Sequence, residues 1–195
     1  MAILTSEYWN DRYINDNTGW DIGHISTPLK AYFDQFEHKS AKILIPGAGN
    51  SHEAIYLWEK GFKNIYILDW AQLPLANIRK NIDIPKEQTI EVNFFDFEGS
   101  FDLIIEQTFF CAIDPSLRDD YVKQCSNLLN DNGKLVGLLF DELREDGPPF
   151  GGTKSEYEKL FSPKFEIQTL ERAYNSIEPR KDRELFMILK KKSLD

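Results

Sequence analysis

The chain is poor in the residues that build metal centres and disulfide frameworks. It carries 2 cysteines, Cys111 and Cys125, with no CxxC spacing, and 3 histidines, His24, His38 and His52, far apart in sequence. No HExxH or Cys/His zinc pattern occurs, so no metal is expected. Two isolated cysteines make no disulfide framework, and buried reduced thiols are the expectation. No apolar run approaches the roughly 18 to 20 residues that span a bilayer. The start, MAILTSEYWNDRY, has no basic stretch leading into an apolar run. Neither a membrane span nor a signal peptide is therefore expected, and cytoplasm is the default location. Basic charge is also in deficit, 23 Lys and Arg against 32 Asp and Glu, a formal net charge of −9. That average field repels a nucleic-acid backbone and mildly favours a cationic ligand. The lysine run at 190–192 reads as a solvated tail.

What is present is the alternation of short apolar runs with amphipathic stretches. At 195 residues and 42% hydrophobic composition, one domain with a sizeable core is expected over 1–195. Strands are predicted at 41–46, 64–69, 89–96, 101–106 and 132–141, with helices at 51–61, 71–82 and 115–130. Asn50 is read as the N-cap of the first of these helices and Glu53 as its capping-box partner. Strands alternating with helices imply an α/β fold with a doubly wound parallel sheet. The alternation breaks at the end: 164–172 and 183–191 are both strand-like and pair best as an antiparallel hairpin. Residues 1–40 precede this Rossmann-like core of 41–195 and read as helices at about 6–14 and 27–38. Nothing specifies an oligomer, and a monomer is compatible with the sequence.

Ligands of such a sheet bind beyond the carboxyl ends of its strands. The first strand runs into Gly47-Ala48-Gly49 in the stretch ILIPGAGNSHEA. Glycines there let a ligand approach the backbone, although the pair alone is equally a tight strand-to-helix turn. The second strand ends at Asp69, where a carboxylate can accept both hydroxyls of a ribose. The third ends at Asp96, flanked by Phe95 and Phe97, a pattern suited to an adenine edge and face. The fourth ends in Glu106-Gln107-Thr108. A dinucleotide loop carries a third glycine where this chain has His52. Three acidic strand ends with no nearby arginine suit an adenosine that carries a cation, which tilts the choice toward S-adenosylmethionine.

Several motifs in order resemble the thiopurine S-methyltransferase superfamily, and most of all its plant-type halide/thiol methyltransferase branch. They are YWNDRY, TGWDIG and STPL within 8–29, ILIPGAGNSHE, FDLIIEQTFFCAIDPSLR at 101–118, DGPPFGGTKSEYEKLF and IEPRK. The resemblance implies the seven-stranded class I methyltransferase sheet, with the N-terminal forty residues as a helical cap over the cofactor. It implies S-adenosyl-L-methionine as methyl donor and S-adenosyl-L-homocysteine as product. It places Trp9, Tyr13 and Trp20 over the cofactor, Gly47 at its methionine portion, Asp69 on the ribose, and Asp96 with Phe97 at the adenine. Gly49 belongs to the same loop. Gln107 falls where the plant branch has tyrosine and the mammalian branch arginine.

Transfer from a sulfonium needs an in-line nucleophile and little water. A thiol, sulfide, halide or thiopurine needs little help from a base, so no firm catalytic base is assigned. The substrate-side candidates are Trp20, Gln107, Arg118, Phe150 and Arg180. Trp20 and the loop 146–152 are read as a lid, and Arg118 and Arg180 as groups able to steer an anion or to form ordinary surface salt bridges. The expected partner is a small-molecule methyl acceptor. An NAD(P)-dependent oxidoreductase on the same fold and a non-catalytic binder of the cofactor are the alternatives.

Overall fold

The computed structural model describes residues 4–144 and 146–193. Residues 1–3, the start of the N-terminal cap segment, lie outside that description, as do residues 145 and 194–195. A seven-stranded sheet runs in the order β3-β2-β1-β4-β5-β7-β6. Its strands are β1 Ile43–Pro46, β2 Ile65–Asp69, β3 Thr89–Glu91, β4 Phe101–Gln107, β5 Leu129–Phe140, β6 Phe165–Arg172 and β7 Glu184–Lys191. The helices are α1 Ser6–Ile14, α2 Thr27–Asp34, α3 His52–Glu59, α4 Gln72–Asn81, α5 Arg118–Leu128 and α6 Lys154–Phe161.

β1 through β5 pair in parallel, and β7 pairs antiparallel with both β5 and β6. The C-terminal hairpin is therefore present, with β7 inserted between β5 and the edge strand β6. The period of a strand sorts its apolar residues onto two faces. Leu44, Leu68, Ile104 and Leu135 join Tyr121, Cys125, Tyr157 and Phe161 of α5 and α6 in one core. Ile43, Ile45, Ile67, Leu103 and Ile105 join Leu29, Phe33, Leu57, Leu75 and Ile78 of α2, α3 and α4 in the other. Each fully buried side chain of this kind contributes about 1.5–3 kcal/mol. Truncating Ile104, which has no exposure, would cost about 2–5 kcal/mol because a cavity is left as well. Both cysteines are free and buried. Among the described residues no helix is long and apolar enough to cross a membrane.

Several local features depart from the sequence reading. β3 stops at Glu91, and a 3-10 turn covers Phe94–Asp96, started by the Asn93 side chain accepting from the Phe95 N–H at 3.1 Å. α3 begins one residue later than an Asn50 cap requires: Ser51 holds the N-cap in the left-handed region. The Asn50 amide instead donates to Asp21 at 2.5 Å, and Glu53 accepts from the Ser26 N–H at 3.3 Å rather than closing a capping box. α6 has a true capping box, with Thr153 and Glu156 satisfying each other's backbone N–H. The lysines at 190–192 do not form a free tail: Lys190 and Lys191 belong to β7, and Lys191 and Lys192 donate to the Leu129 and Ser162 carbonyls at 2.6 and 2.7 Å.

The chain winds from β1 outward to β3, then returns to place β4 on the other side of β1. That reversal opens a crevice above the carboxyl ends of β1 and β4, where ligands of open α/β sheets bind.

Candidate active site

The crevice is a cavity of about 820 Å³, within the size range of small-molecule sites. Its floor is the β1–α3 loop. Gly47, Gly49 and Ser51 all have positive φ, at 55°, 52° and 46°. This conformation folds the backbone tightly against itself, with the Ser51 N–H donating to the Ala48 carbonyl at 2.8 Å. A Cβ at Gly47 would lie 2.1 Å from the Phe109 ring, and one at Gly49 would lie 2.8 Å from the Tyr13 hydroxyl. Glycine is required at Gly47 for both space and conformation.

Asp69, at the end of β2, lines the same floor. Its carboxylate accepts from the Gly49 N–H at 3.1 Å and the Ala71 N–H at 2.9 Å. Burial pushes its pKa up to about 6, with those backbone donors opposing the rise. A carboxylate has about four lone-pair directions, so capacity remains for ligand hydroxyls.

One wall comes from α1 and the turn that follows it. Trp9 and Trp20 meet edge to face with centroids 5.5 Å apart, and Tyr13 meets Trp20 in the same way at 5.8 Å. The wall is fastened at several points. Asp21 accepts from His52 Nε2 at 2.7 Å and from the Asn50 amide, which bind this turn to the start of α3, and from the Gly23 N–H at 2.7 Å, which closes the turn itself. The His52 contact holds the Asp21 carboxyl well below the ordinary carboxylate range, and Asp21 in turn raises the His52 pKa. Across the cavity, Arg180 donates to the Trp20 carbonyl at 2.7 Å and pairs with Glu184 at 3.3 Å.

The opposite wall is the segment after β4. Glu106 is completely buried. It accepts from the Phe109 and Phe110 N–H groups, each at 2.8 Å, and from the Tyr121 hydroxyl at 2.6 Å. Desolvation nonetheless pushes its pKa up to about 7. This anchor folds Gln107, Thr108, Phe109 and Cys111 into the cavity lining, with Thr108 held at a φ of 58°. The Cys111 thiol donates to the Thr108 carbonyl at 3.3 Å, and burial pushes its pKa up, which leaves it inert at neutral pH.

Of the residues singled out in the sequence, Trp9, Tyr13, Trp20, Gly47, Gly49, Asp69, Gln107 and Arg180 all line this cavity. Asp96 and Phe97 do not. The turn begun by Asn93 leaves Asp96 exposed and packs Phe97 on Phe101, 6.0 Å between centroids, while Val92, Asn93, Phe94 and Phe95 take the lining positions. Phe150 is also outside: it is buried, and its N–H donates to the Cys111 carbonyl at 2.7 Å, so the loop 146–152 meets the cavity through Pro148 and Pro149. Arg118 holds that loop from behind, donating to the Gly151 carbonyl at 2.8 Å with its guanidinium over the Phe110 ring. Arg180 is committed to Trp20 and Glu184 rather than free for an anion. The sequence reading gave no role to Asp21, Asn93 or Arg12, and it noted His52 and Glu106 by position without the contacts they make here. The unusual DIG turn after Trp20 and the Asx-type Asn93 were the available signals for two of them.

The thiopurine S-methyltransferase family model matches residues 4–192. A probable thiol methyltransferase 2 of Arabidopsis thaliana is 28% identical over an alignment covering 99% of this chain and 88% of that protein. The thiopurine S-methyltransferase of Bos taurus is 25% identical, covering 87% of this chain and 80% of that protein. Among solved structures, the Burkholderia thailandensis 1,6-didemethyltoxoflavin-N1-methyltransferase, holding 1,6-didemethyltoxoflavin and S-adenosylhomocysteine, superposes with a TM-score of 0.74. It is 18% identical, covers 97% of this chain and 88% of that one, and shares the fold. With the family match spanning almost its whole length, the chain belongs to the thiopurine S-methyltransferase family.

Proposed function

We propose that the protein is an S-adenosylmethionine-dependent methyltransferase whose acceptor is a small soft nucleophile: a thiol, sulfide, halide or thiopurine. The observation that carries this reading is the floor of the cavity: the Gly47–Gly49 loop lies beside Asp69, a buried carboxylate held by backbone N–H groups alone, under the aromatic wall of Trp9, Tyr13 and Trp20. A sulfonium nucleoside suits that end, and the remainder of the same cavity leaves room for a small acceptor. The residues present fit the cofactor. Two glycines expose the backbone, Asp69 retains lone pairs for a ribose, and Trp9, Tyr13 and Trp20 supply faces for a sulfonium.

The bound nucleoside supplies an electrophilic methyl group; the protein's contribution is placement. In this reading Asp69 fixes the ribose, the Gly47–Gly49 loop admits the amino-acid end, and Val92, Asn93 and Phe95 border the base. Trp20, Pro148 and Pro149 exclude water from the line of attack, where orientation alone can supply several kcal/mol. No cavity group is required as a base, since Cys111 and Glu106 are already engaged and a soft acceptor is partly ionised at neutral pH.

Incubation with a labelled methyl donor and sulfide, thiols, iodide and thiopurines tests the proposal. Transfer to at least one of them is expected. Calorimetry separates the alternatives: tight binding of NADH with none of S-adenosylmethionine would overturn the reading, and cofactor binding without turnover on any acceptor would favour a non-catalytic binder.

A further inference from the structure

Four arginines line the cavity: Arg12, Arg144, Arg180 and Arg183. Three of them have a carboxylate partner, two sharing the same one. Arg144 and Arg183 both pair with Glu142, at 3.0 and 2.7 Å, and Arg180 pairs with Glu184 at 3.3 Å. Arg12 differs. Its guanidinium carbon lies 5.7 Å from the Tyr8 ring centroid and 5.6 Å from that of Trp20. Among the described residues it has no carboxylate partner, and its Nε is buried with no hydrogen-bond acceptor.

Ordinary packing accounts for part of this. A cation over aromatic rings gains about 0.5–1 kcal/mol, and a basic residue in the last turn of a helix suits the helix dipole. Arg12 sits in the last turn of α1. Neither effect uses the directed N–H donors of a guanidinium, of which there are five. A partly buried cation that lines a cavity without a carboxylate partner is matched by an anion, and the planar fork is shaped for a carboxylate.

We propose that Arg12 is an anion-binding residue of this cavity, holding a carboxylate or small anion of the bound ligand. The proposal rests on the methyltransferase reading. The anion has two sources there: the carboxylate at the amino-acid end of the sulfonium nucleoside, and an anionic acceptor. The Arg12 guanidinium lies over the Trp20 ring, and the Trp20 indole nitrogen stands 4.0 Å from where a Cβ of Gly49 would be. That position is on the loop assigned to the amino-acid end, so the carboxylate is the favoured source.

The test compares wild type, Arg12→Gln and Arg12→Lys in the full chain. Affinities for S-adenosylmethionine and for its decarboxylated analogue are measured by calorimetry, and KM for hydrosulfide by turnover. Arg12→Gln is expected to weaken S-adenosylmethionine about 10- to 100-fold while leaving the decarboxylated analogue within about twofold, and Arg12→Lys to restore part of the loss. Unchanged cofactor binding with a raised KM for hydrosulfide supports the proposal with the acceptor as source. Equal losses for both sulfonium compounds would assign Arg12 to packing of Trp20 and overturn it, as would no change in any of the three measurements. If wild type binds neither sulfonium compound, the functional reading fails separately. Iodide quenching of tryptophan fluorescence then decides on Arg12: quenching reduced in Arg12→Gln retains it as an anion site, and equal quenching removes it.

Discussion

The two sides of the cavity hold charge in opposite ways. On the β1–β2 side, Asp69 is held only by backbone N–H groups, and burial makes its ionisation costly. A cationic ligand relieves that cost. On the β5–β7 side, each arginine reaches the lining with a carboxylate partner, Arg144 and Arg183 sharing Glu142 and Arg180 taking Glu184. They work as fasteners for the Trp20 turn and for the loop around Arg144. The difference teaches that counting arginines in a cavity wall does not measure its appetite for anions. What counts is which of them has no partner.

The comparison breaks most easily at Gly47. Gly47→Ala puts a Cβ 2.1 Å from the Phe109 ring at a φ of 55°, a combination that strains the backbone and moves the opposite wall. Both the melting temperature and cofactor affinity are expected to fall, the latter by more than about tenfold, as calorimetry would show.

Glu106 sits between the two sides and sharpens the comparison through pH. Its folded pKa of about 7 lies above the ordinary 4.5 of an unfolded glutamate. The raised value favours the protonated form in the fold. Its contribution is therefore fully present below about pH 4.5 and is lost as pH rises through 7. The loss is bounded at about 3 kcal/mol. Urea unfolding at pH 5 and pH 8 should show a smaller difference in Glu106→Gln than in wild type.

Asp69→Ala comes next, with cofactor affinity lower by about 1–3 kcal/mol for stranded hydroxyls. A folded variant with unchanged affinity would move the ribose elsewhere. Arg180→Lys tests the fastener role: loss of the Trp20 contact should raise the cofactor KM by about two- to fivefold and alter tryptophan fluorescence. Asp96→Ala is expected to do nothing measurable to affinity, because the side chain is exposed and outside the lining. A tenfold loss there would restore Asp96 to the adenine site.

Much of the architecture was legible from residues alone. β1, β2 and β4 are short apolar runs bounded by turn residues, the apolar pattern shows β5 only from 132 although the strand starts at Leu129, and the terminal hairpin lacks any intervening helical pattern. α6 went unread although TKSE before a hydrophobic pair was a usable capping-box signal. β3 was overextended because VNFF continues an apolar alternation, and one side-chain hydrogen bond from Asn93 ends it. The same bond explains why the lining falls on Asn93 and Phe95 rather than on Asp96 and Phe97.

The linear sequence determined the sheet, the glycine loop, the acidic end of β2 and the family, because strand periodicity, loop glycines and ordered motifs are local properties. Only the tertiary structure decided which charges are spent. Whether Arg180 is free depends on Glu184 and on a carbonyl 160 residues away. Whether Arg12 meets a carboxylate depends on which side chains the fold brings to α1, and those beside its guanidinium are the rings of Tyr8 and Trp20. Pairing at such distances is a matter of packing, and no local pattern encodes it.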